Sequence, residues 1–181
     1  MFLNPTTGKL NISALRNELP GDFPHSPRAY SAPQKEPAEQ YAKFAKRCLS
    51  INDIAIVQVA VPSTLIEGLS VQNITSHAGH SGDAWRKLVW YSRRREVPAR
   101  ELDHIAGKQL LTANLASGIE TRYTPTPEAG GIEPHNVLFV TIQGQKKRAL
   151  QWVFQREAER EFDEQYEGEA WVIQFCKTTG L

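Results

Sequence analysis

The stretch from Ile54 to Val61 constrains the fold most, because it is apolar on both sides of an extended chain. One alternating set of positions is Ala55, Val57, Val59 and Val61, and the other contains Ile54, Ile56 and Ala60. A strand with two apolar faces is typical of the interior of a sheet that is covered on both sides. Pro62 follows and ends the strand, because proline has no N–H for a sheet hydrogen bond. The sequence therefore predicts a central strand here.

Two helices are predicted, one before and one after this strand. The first begins at Glu36-Pro37, because a proline in the first turn needs no partner for a backbone N–H. Its apolar positions recur at helical spacing as far as Leu49. The second follows Asp83, a suitable N-cap, and covers Trp85–Arg95. The face that this helix turns inward consists of Trp85, Leu88, Val89 and Ser92.

The second half of the chain alternates strand patterns with one charged helix. Val137–Ile142 and Ala149–Phe154 are predicted to pair as a hairpin through Gln143-Gly144-Gln145-Lys146. The other expected elements are a strand at Leu110–Ala116, a helix at about Arg156–Tyr166 and a strand at Ala170–Phe175. Few of the spacings suit right-handed βαβ units, so the expected fold class is α+β with a mostly antiparallel or mixed sheet.

Length and charge limit the classes of function. The 181 residues suit one domain, expected over 1–181 with 1–20 as a loop-like N-terminal arm. Because 21 Lys and Arg nearly balance 20 Asp and Glu, no overall field attracts a polyanion, which disfavours a general nucleic-acid binder. Cys48 and Cys176 match neither a disulfide framework nor a zinc motif. With no signal peptide and no apolar run of about 18 residues, a cytoplasmic or nuclear protein without a membrane partner is expected.

Three local clusters suggest chemistry, each with a plainer interpretation. His77, His80 and Asp83 would share a helix face as metal ligands do, but their loop-like surroundings favour a solvated loop, and no metal site is predicted. Arg93-Arg94-Arg95 beside Trp85 and Trp90 could form a phosphate-binding face or a solvated helix end. The acidic residues from Glu157 to Glu169 and the basic run Lys146-Lys147-Arg148 are typical of solvated surfaces.

Three stretches together resemble the ADP-ribosyltransferase-like superfamily, in particular its fungal members and a bacterial family of unknown function within it. Gly21-Asp22-Phe23 through Ala29-Tyr30-Ser31 to Tyr41-Ala42 is similar to the family's strand that runs into a helix. Trp85-Arg86-Lys87-Leu88-Val89-Trp90 with Gly107 to Gly118 is similar to a family helix and the core strand after it. Ala149-Leu150-Gln151-Trp152-Val153-Phe154 looks like the late strand that carries a family Gln or Glu.

The resemblance implies a split, strongly bent, mostly antiparallel sheet that holds NAD in a cleft. It would place Tyr30 against the nicotinamide, Ser31 in the cleft strand and Gln151 against the ribose, at the catalytic position. Arg93 or Arg94 would contact the pyrophosphate. Gln151 stands where a Glu is usual in the family, and its amide cannot carry the negative charge that stabilises an oxocarbenium-like centre. The expected function is therefore binding of NAD or a related nucleotide, with weak or lost transferase activity.

Two alternatives remain open at this stage. A non-enzymatic protein-interaction module on the same scaffold would use the Trp85–Arg95 helix, because Trp and Arg are enriched in binding hot spots. A nucleic-acid enzyme or binder is supported only by the basic residues of that same helix.

Overall fold

The computed structural model describes residues 16–17, 28–49, 54–76, 80–94, 96–118, 123, 125–165 and 170–175. Its strands are β1 Arg16–Asn17, β2 Arg28–Ser31, β3 Ile54–Val59, β4 Val71–Ile74, β5 Leu110–Asn114, β6 Phe139–Ile142, β7 Gln145–Arg148, β8 Leu150–Phe154 and β9 Ala170–Phe175. Its helices are α1 Lys35–Leu49, α2 Ser63–Glu67, α3 His80–Arg94, α4 Asp103–Ala106 and α5 Arg156–Gln165. Helices and strands are interspersed, as the predicted α+β class requires.

A five-stranded mixed sheet organises the described residues. Its strand order is β1-β2-β8-β5-β4, and every neighbouring pair is antiparallel except the parallel pair β4 and β5. β8 lies in the middle, with Val153 opposite Tyr30 of β2 on one side and opposite Leu111 of β5 on the other. The predicted fold class is confirmed, with one parallel pair in an otherwise antiparallel sheet.

The helix predictions are confirmed with small changes in their ends. α1 has Glu36 in its first turn and the basic residues Lys46 and Arg47 in its last, so charge complements the helix dipole at both ends. α3 begins at His80, so the predictions that Asp83 is its N-cap and that His80 and Asp83 lie in a loop are wrong, and Asp83 lies in the first turn of the helix. The inward face of α3 is buried as predicted, and its members are Trp85, Leu88, Val89 and Ser92.

Two apolar layers cover the two sides of the sheet. The first face carries Leu111, Ala113 and Val153 and packs against α3 through Trp85, Leu88 and Val89. The second face carries Ala29, Leu110 and Phe154 and packs against Ala158 and Phe162 of α5. Side chains alternate along β8, so Val153 belongs to the first face and Trp152 and Phe154 to the second.

The predicted hairpin is wrong in its second strand. β6 pairs with β7, not with Leu150–Phe154, and the pair is joined by the two-residue turn Gln143–Gly144. Both turn residues have positive φ, 50° for Gln143 and 76° for Gly144, which is the backbone of a type I′ hairpin turn. Leu150–Phe154 pairs instead with β2 and β5.

The strand predicted to be central has a different place. β3 pairs antiparallel with β9 along its full length, from Ile54 opposite Phe175 to Val59 opposite Ala170. Among the described residues this pair is a sheet of its own, so the central strand is β8. Val57 and Val59 pack against the second-face layer, which accounts for part of the apolar character of β3. A two-residue strand, β1, lies within the stretch expected to be a loop-like arm.

Candidate functional site

The candidate site is a group of buried or half-buried polar side chains that belong to the first-face layer of the sheet. Gln151 is its central member, since it lies on β8 two residues before Val153 and opposite Ala113 of β5. Its side chain is 4% exposed, and its Nε2 has no hydrogen-bond partner among the described residues. Burying an amide donor without a partner costs about 1–3 kcal/mol, so such a group needs an explanation.

Tyr30 lies on the same face as Gln151. The β2–β8 register places Tyr30 directly opposite Val153, so Gln151 is its diagonal neighbour. Diagonal cross-strand neighbours are about 7–8 Å apart, within reach of an aromatic and a long side chain. Tyr30 is half-buried and packs against the first-face layer. The structure therefore brings together two of the residues that the sequence suggested for one site.

Ser92 adds a second buried polar group to this layer. It follows Leu88 and Val89 by one helical turn, so it faces the sheet, and it is 0% exposed. Its Oγ has no hydrogen-bond partner among the described residues. The sequence placed Ser92 on the inward face of the helix without assigning it a function. A serine among tryptophan, leucine and valine on that face was the signal that could have identified it.

Ser31 does not join this group. It is opposite Trp152 in the β2–β8 pairing, and it is exposed. Because neighbouring residues of a strand point to opposite faces, Ser31 and Tyr30 lie on different sides of the sheet.

Arg93 and Arg94 occupy the last turn of α3 and are engaged with aromatic rings. The Arg93 guanidinium lies 5.5 Å from the ring centroid of Tyr123, and that of Arg94 lies 4.8 Å from the Trp90 ring. Arg94 Nε also donates to a Glu96 carboxylate oxygen at 2.7 Å. These contacts hold both arginines at one end of the layer that contains Gln151. Each guanidinium group lies over an aromatic ring, which it binds by a cation–π interaction.

The tryptophans of α3 are structural anchors. Trp85 is 0% exposed, and its indole N–H donates to the Asn114 carbonyl at 2.8 Å. The indole N–H of Trp90 donates to the Thr126 carbonyl at 3.0 Å. Buried tryptophan rings cannot serve as contact residues for a partner, so the surface suggested for an interaction module lacks its Trp85 anchor.

The outer side of α3 carries charges that are already paired. Arg86 contacts Asp83 of the preceding turn at 3.4 Å, and Lys87 forms an ion pair with Glu101. The hydrogen bond to Glu101 raises the pKa of Lys87 above its usual value, because it favours the charged ammonium. Paired charges leave little field to attract a phosphate or a polyanion.

The remaining predicted clusters contribute little to this site. His77 lies outside the described residues, as do Glu167 and Glu169 of the acidic stretch. The described part of the chain contains no group of three or more His, Cys, Asp or Glu residues able to hold a metal ion. Lys146 lies on the β6–β7 hairpin, with its Nζ 4.7 Å from the centroid of the Phe139 ring.

A single buried carboxylate is found among the described residues, and it lies away from the site. Glu159 of α5 is 0% exposed and accepts the backbone N–H of Ala29 at 2.8 Å. Ala29 belongs to the second face, so this carboxylate is on the side of the sheet opposite Gln151. The candidate site can therefore donate and accept hydrogen bonds and stack a planar group, but no described buried carboxylate lies within it.

Comparisons of the chain with models of known protein families, with curated proteins and with solved structures gave no match. Within the described residues, no helix combines the length and apolar character needed to cross a membrane.

Proposed function

We propose that this chain is an ADP-ribosyltransferase-like domain that binds NAD or a related nucleotide on the first face of its sheet, without efficient transfer chemistry. The observation that carries the proposal is the buried Gln151 amide, whose Nε2 has no hydrogen-bond partner among the described residues. A ligand with a carbonyl or hydroxyl oxygen at this point would satisfy the amide. The resemblance of residues 20–155 to that superfamily supplies the class of ligand.

Tyr30 supports a ligand with a planar head group. It is the diagonal neighbour of Gln151 on the same face, and aromatic rings stack well on flat heterocycles such as nicotinamide. Arg93 and Arg94, at the end of α3, would have to leave their aromatic partners to contact a pyrophosphate.

The electrostatics support binding rather than transfer. Cleavage of the nicotinamide–ribose bond develops positive charge on the ribose, and a nearby carboxylate stabilises that charge. Gln151 is neutral, and Glu159, the buried carboxylate of the described residues, belongs to the opposite side of the sheet. A domain whose binding face has no buried carboxylate among the described residues is suited to binding and not to transfer.

Ligand binding on this face requires movement. Gln151 is 4% exposed, so a ligand contacts its amide only when the residues that cover this side chain move. The binding-competent state is then a minor one, and the apparent affinity is weakened by its small population.

Calorimetric titration with NAD, ADP-ribose and nicotinamide, with a parallel assay of nicotinamide release, tests the proposal. We expect NAD to bind with a dissociation constant of roughly millimolar or tighter, with no release of nicotinamide. Replacing Gln151→Leu should weaken binding about tenfold, because one buried hydrogen bond is lost. Gln155→Leu is the matched control, since Gln155 is 3% exposed and its Nε2 also has no partner among the described residues.

Three outcomes would contradict the proposal. If millimolar NAD gives no heat of binding and no thermal shift, the ligand class is excluded. If Gln151→Leu and Gln155→Leu weaken NAD binding equally, the site is excluded. Nicotinamide release by the unaltered chain would show that transfer chemistry survives and would make Gln151→Glu the next variant.

A further inference from the structure

The outer edge of β7, the edge that faces away from β6, carries unused backbone hydrogen-bonding groups. In a hairpin with a two-residue turn, the pair that flanks the turn, here Ile142 and Gln145, is hydrogen-bonded, and the next pair, Thr141 and Lys146, is not. The N–H and C=O of Lys146 therefore point away from β6. Among the described residues they have no hydrogen-bond partner, and Lys146 is exposed.

The same edge already pairs with an amide further along the chain. The Leu150 N–H donates to Gln34 Oε1 at 2.9 Å, and Gln34 Nε2 donates to the Arg148 C=O in a longer contact of 3.5 Å. The peptide group of a neighbouring strand would make the same two contacts. A side-chain amide thus takes the place of a strand beside Arg148, and the edge stays open beside Lys146.

The β6–β7 hairpin is basic throughout. The chain has no Asp or Glu between Glu133 and Glu157, and this interval contains Lys146, Lys147 and Arg148. The Lys146 ammonium lies 4.7 Å and the Arg148 guanidinium 5.9 Å from the centroid of the Phe139 ring, so both cations are on one face of the hairpin. Lys147 points to the other face, because side chains alternate along a strand.

The helix that contacts β6 does not offset this charge. α1 contains four cations and two carboxylates, Glu36 and Glu39. Glu39 is paired with Lys35 at 3.0 Å. Glu36 lies in the first turn of α1, where the positive end of the helix dipole attracts it. β8, which follows the hairpin directly, has no charged residue. The surface around β7 is therefore positive, and it complements an acidic ligand.

The charge of this edge also excludes a second copy of the chain as its partner. Lysines on an exposed strand prevent identical edges from pairing, because like charges would lie opposite each other. An extended segment that carries carboxylates has the reverse charge, so the residues that repel an identical edge attract it.

We propose that the outer edge of β7 is a docking site for an extended acidic segment of a partner protein, which adds an antiparallel strand there. One peptide residue exchanges both backbone hydrogen bonds with Lys146 and places its carboxylate beside the Lys146 ammonium. A second carboxylate two residues along lies on the same face, on the side of Arg148. The inference is independent of the proposed nucleotide site, because it uses neither Gln151 nor Tyr30.

The test is an NMR titration of the ¹⁵N-labelled chain with the blocked peptide Ac-Thr-Glu-Thr-Glu-Thr-NH₂. We expect saturable shifts of the Lys146 and Lys147 amides at low salt, with a dissociation constant of roughly a millimolar, as suits a few exposed contacts. Added salt should weaken the binding, because exposed charges are screened. The same peptide with Gln in place of both Glu should bind about tenfold more weakly.

Two N-methylated peptides of equal charge separate strand addition from attraction between charges alone. When a glutamate lies opposite Lys146, the N–H groups of both glutamates point to β7 and that of the central threonine points to solvent. Methylating both glutamate nitrogens should weaken binding about fivefold, because backbone hydrogen bonds are lost. Methylating the central threonine nitrogen should leave binding unchanged.

Two exposed substitutions in the protein locate the site. Lys146→Gln should weaken binding of the first peptide about fivefold, since an exposed ion pair contributes up to about this much. Arg100→Gln removes an exposed cation outside the hairpin and should leave binding unchanged. Absence of shifts at millimolar peptide, equal weakening by the two methylations, or equal weakening by the two substitutions would each overturn the proposal. Tighter binding of single-stranded oligothymidylate at the same amides would also overturn it and assign the edge to nucleic acid.

Discussion

The buried polar groups on the two faces of the five-stranded sheet differ in their hydrogen bonding. On the second face, the Glu159 carboxylate accepts the Ala29 N–H, and the aromatic rings of Phe154 and Phe162 pack edge to face with centroids 5.8 Å apart. On the first face, Gln151 Nε2 and Ser92 Oγ are buried and have no partner among the described residues. Buried polar groups without a partner lower stability, so these two need a reason beyond stability for being kept on this face.

The largest expected effect is on the satisfied face. Replacing Glu159→Leu should lower the free energy of unfolding by about 1–3 kcal/mol, because the buried Ala29 N–H loses its acceptor. Glu159→Gln keeps an oxygen at that place and should cost less. Urea denaturation followed by circular dichroism measures both. If Glu159→Leu leaves the free energy of unfolding unchanged, the hydrogen bond on the second face contributes nothing to stability. The two faces then do not differ in how well their buried polar groups are hydrogen-bonded.

The same type of substitution on the first face should have the opposite effect on the free energy of unfolding. Gln151→Leu removes an amide that has no partner for its Nε2 among the described residues and fills a similar volume. It should raise the free energy of unfolding by up to about 1 kcal/mol and the melting temperature by about 2–4 °C. Thermal denaturation without ligand gives the value. A loss of stability as large as that of Glu159→Leu would mean that Gln151 is a structural residue.

The smallest effect is expected outside both layers, at the exposed pair of Lys87 and Glu101. The raised pKa of Lys87 means that the pair stabilises the folded chain below the unfolded-state pKa of 10.5, and that this contribution is lost as pH rises through the higher folded-state value. Glu101→Gln should therefore cost less than about 1 kcal/mol near pH 8 and nothing well above the folded-state pKa. The difference between urea midpoints at the two pH values measures it, and an effect that persists at high pH would exclude the ion pair as its cause.

The elements were predictable to the extent that their signals are local. The periodicity of α1, α3 and α5 identified those helices, because that signal lies within the helix itself, whereas the start of α3 lies several residues before the predicted Asp83 cap. Strand pairing is different, since it depends on residues far apart in the chain. The partner of β6 was missed because β7, Gln145–Arg148, is wholly polar and has none of the apolar alternation that marks a strand.

The candidate site could be predicted only in part. Tyr30 and Gln151 were identified by resemblance, but only the β2–β8 register places them on one face and Ser31 on the other. The stacking of Arg93 on Tyr123 joins residues from separate segments and has no local signature. A small apolar pocket lined by Leu88, Ile105 and Leu111, among others, was missed for the same reason, because α3, α4 and β5 contribute to it jointly.

The late position of β8 in the chain has a consequence for biosynthesis. β8 lies at the middle of the sheet, and the bond from Ala29 to Glu159 joins residues 130 apart. The ribosome releases β2 long before β8 and Glu159 are synthesised, so the edge of β2 that pairs with β8 stays unpaired for most of the synthesis of the chain. High contact order of this kind predicts slow folding that begins only once β8 has emerged, and a need for protection from aggregation until then.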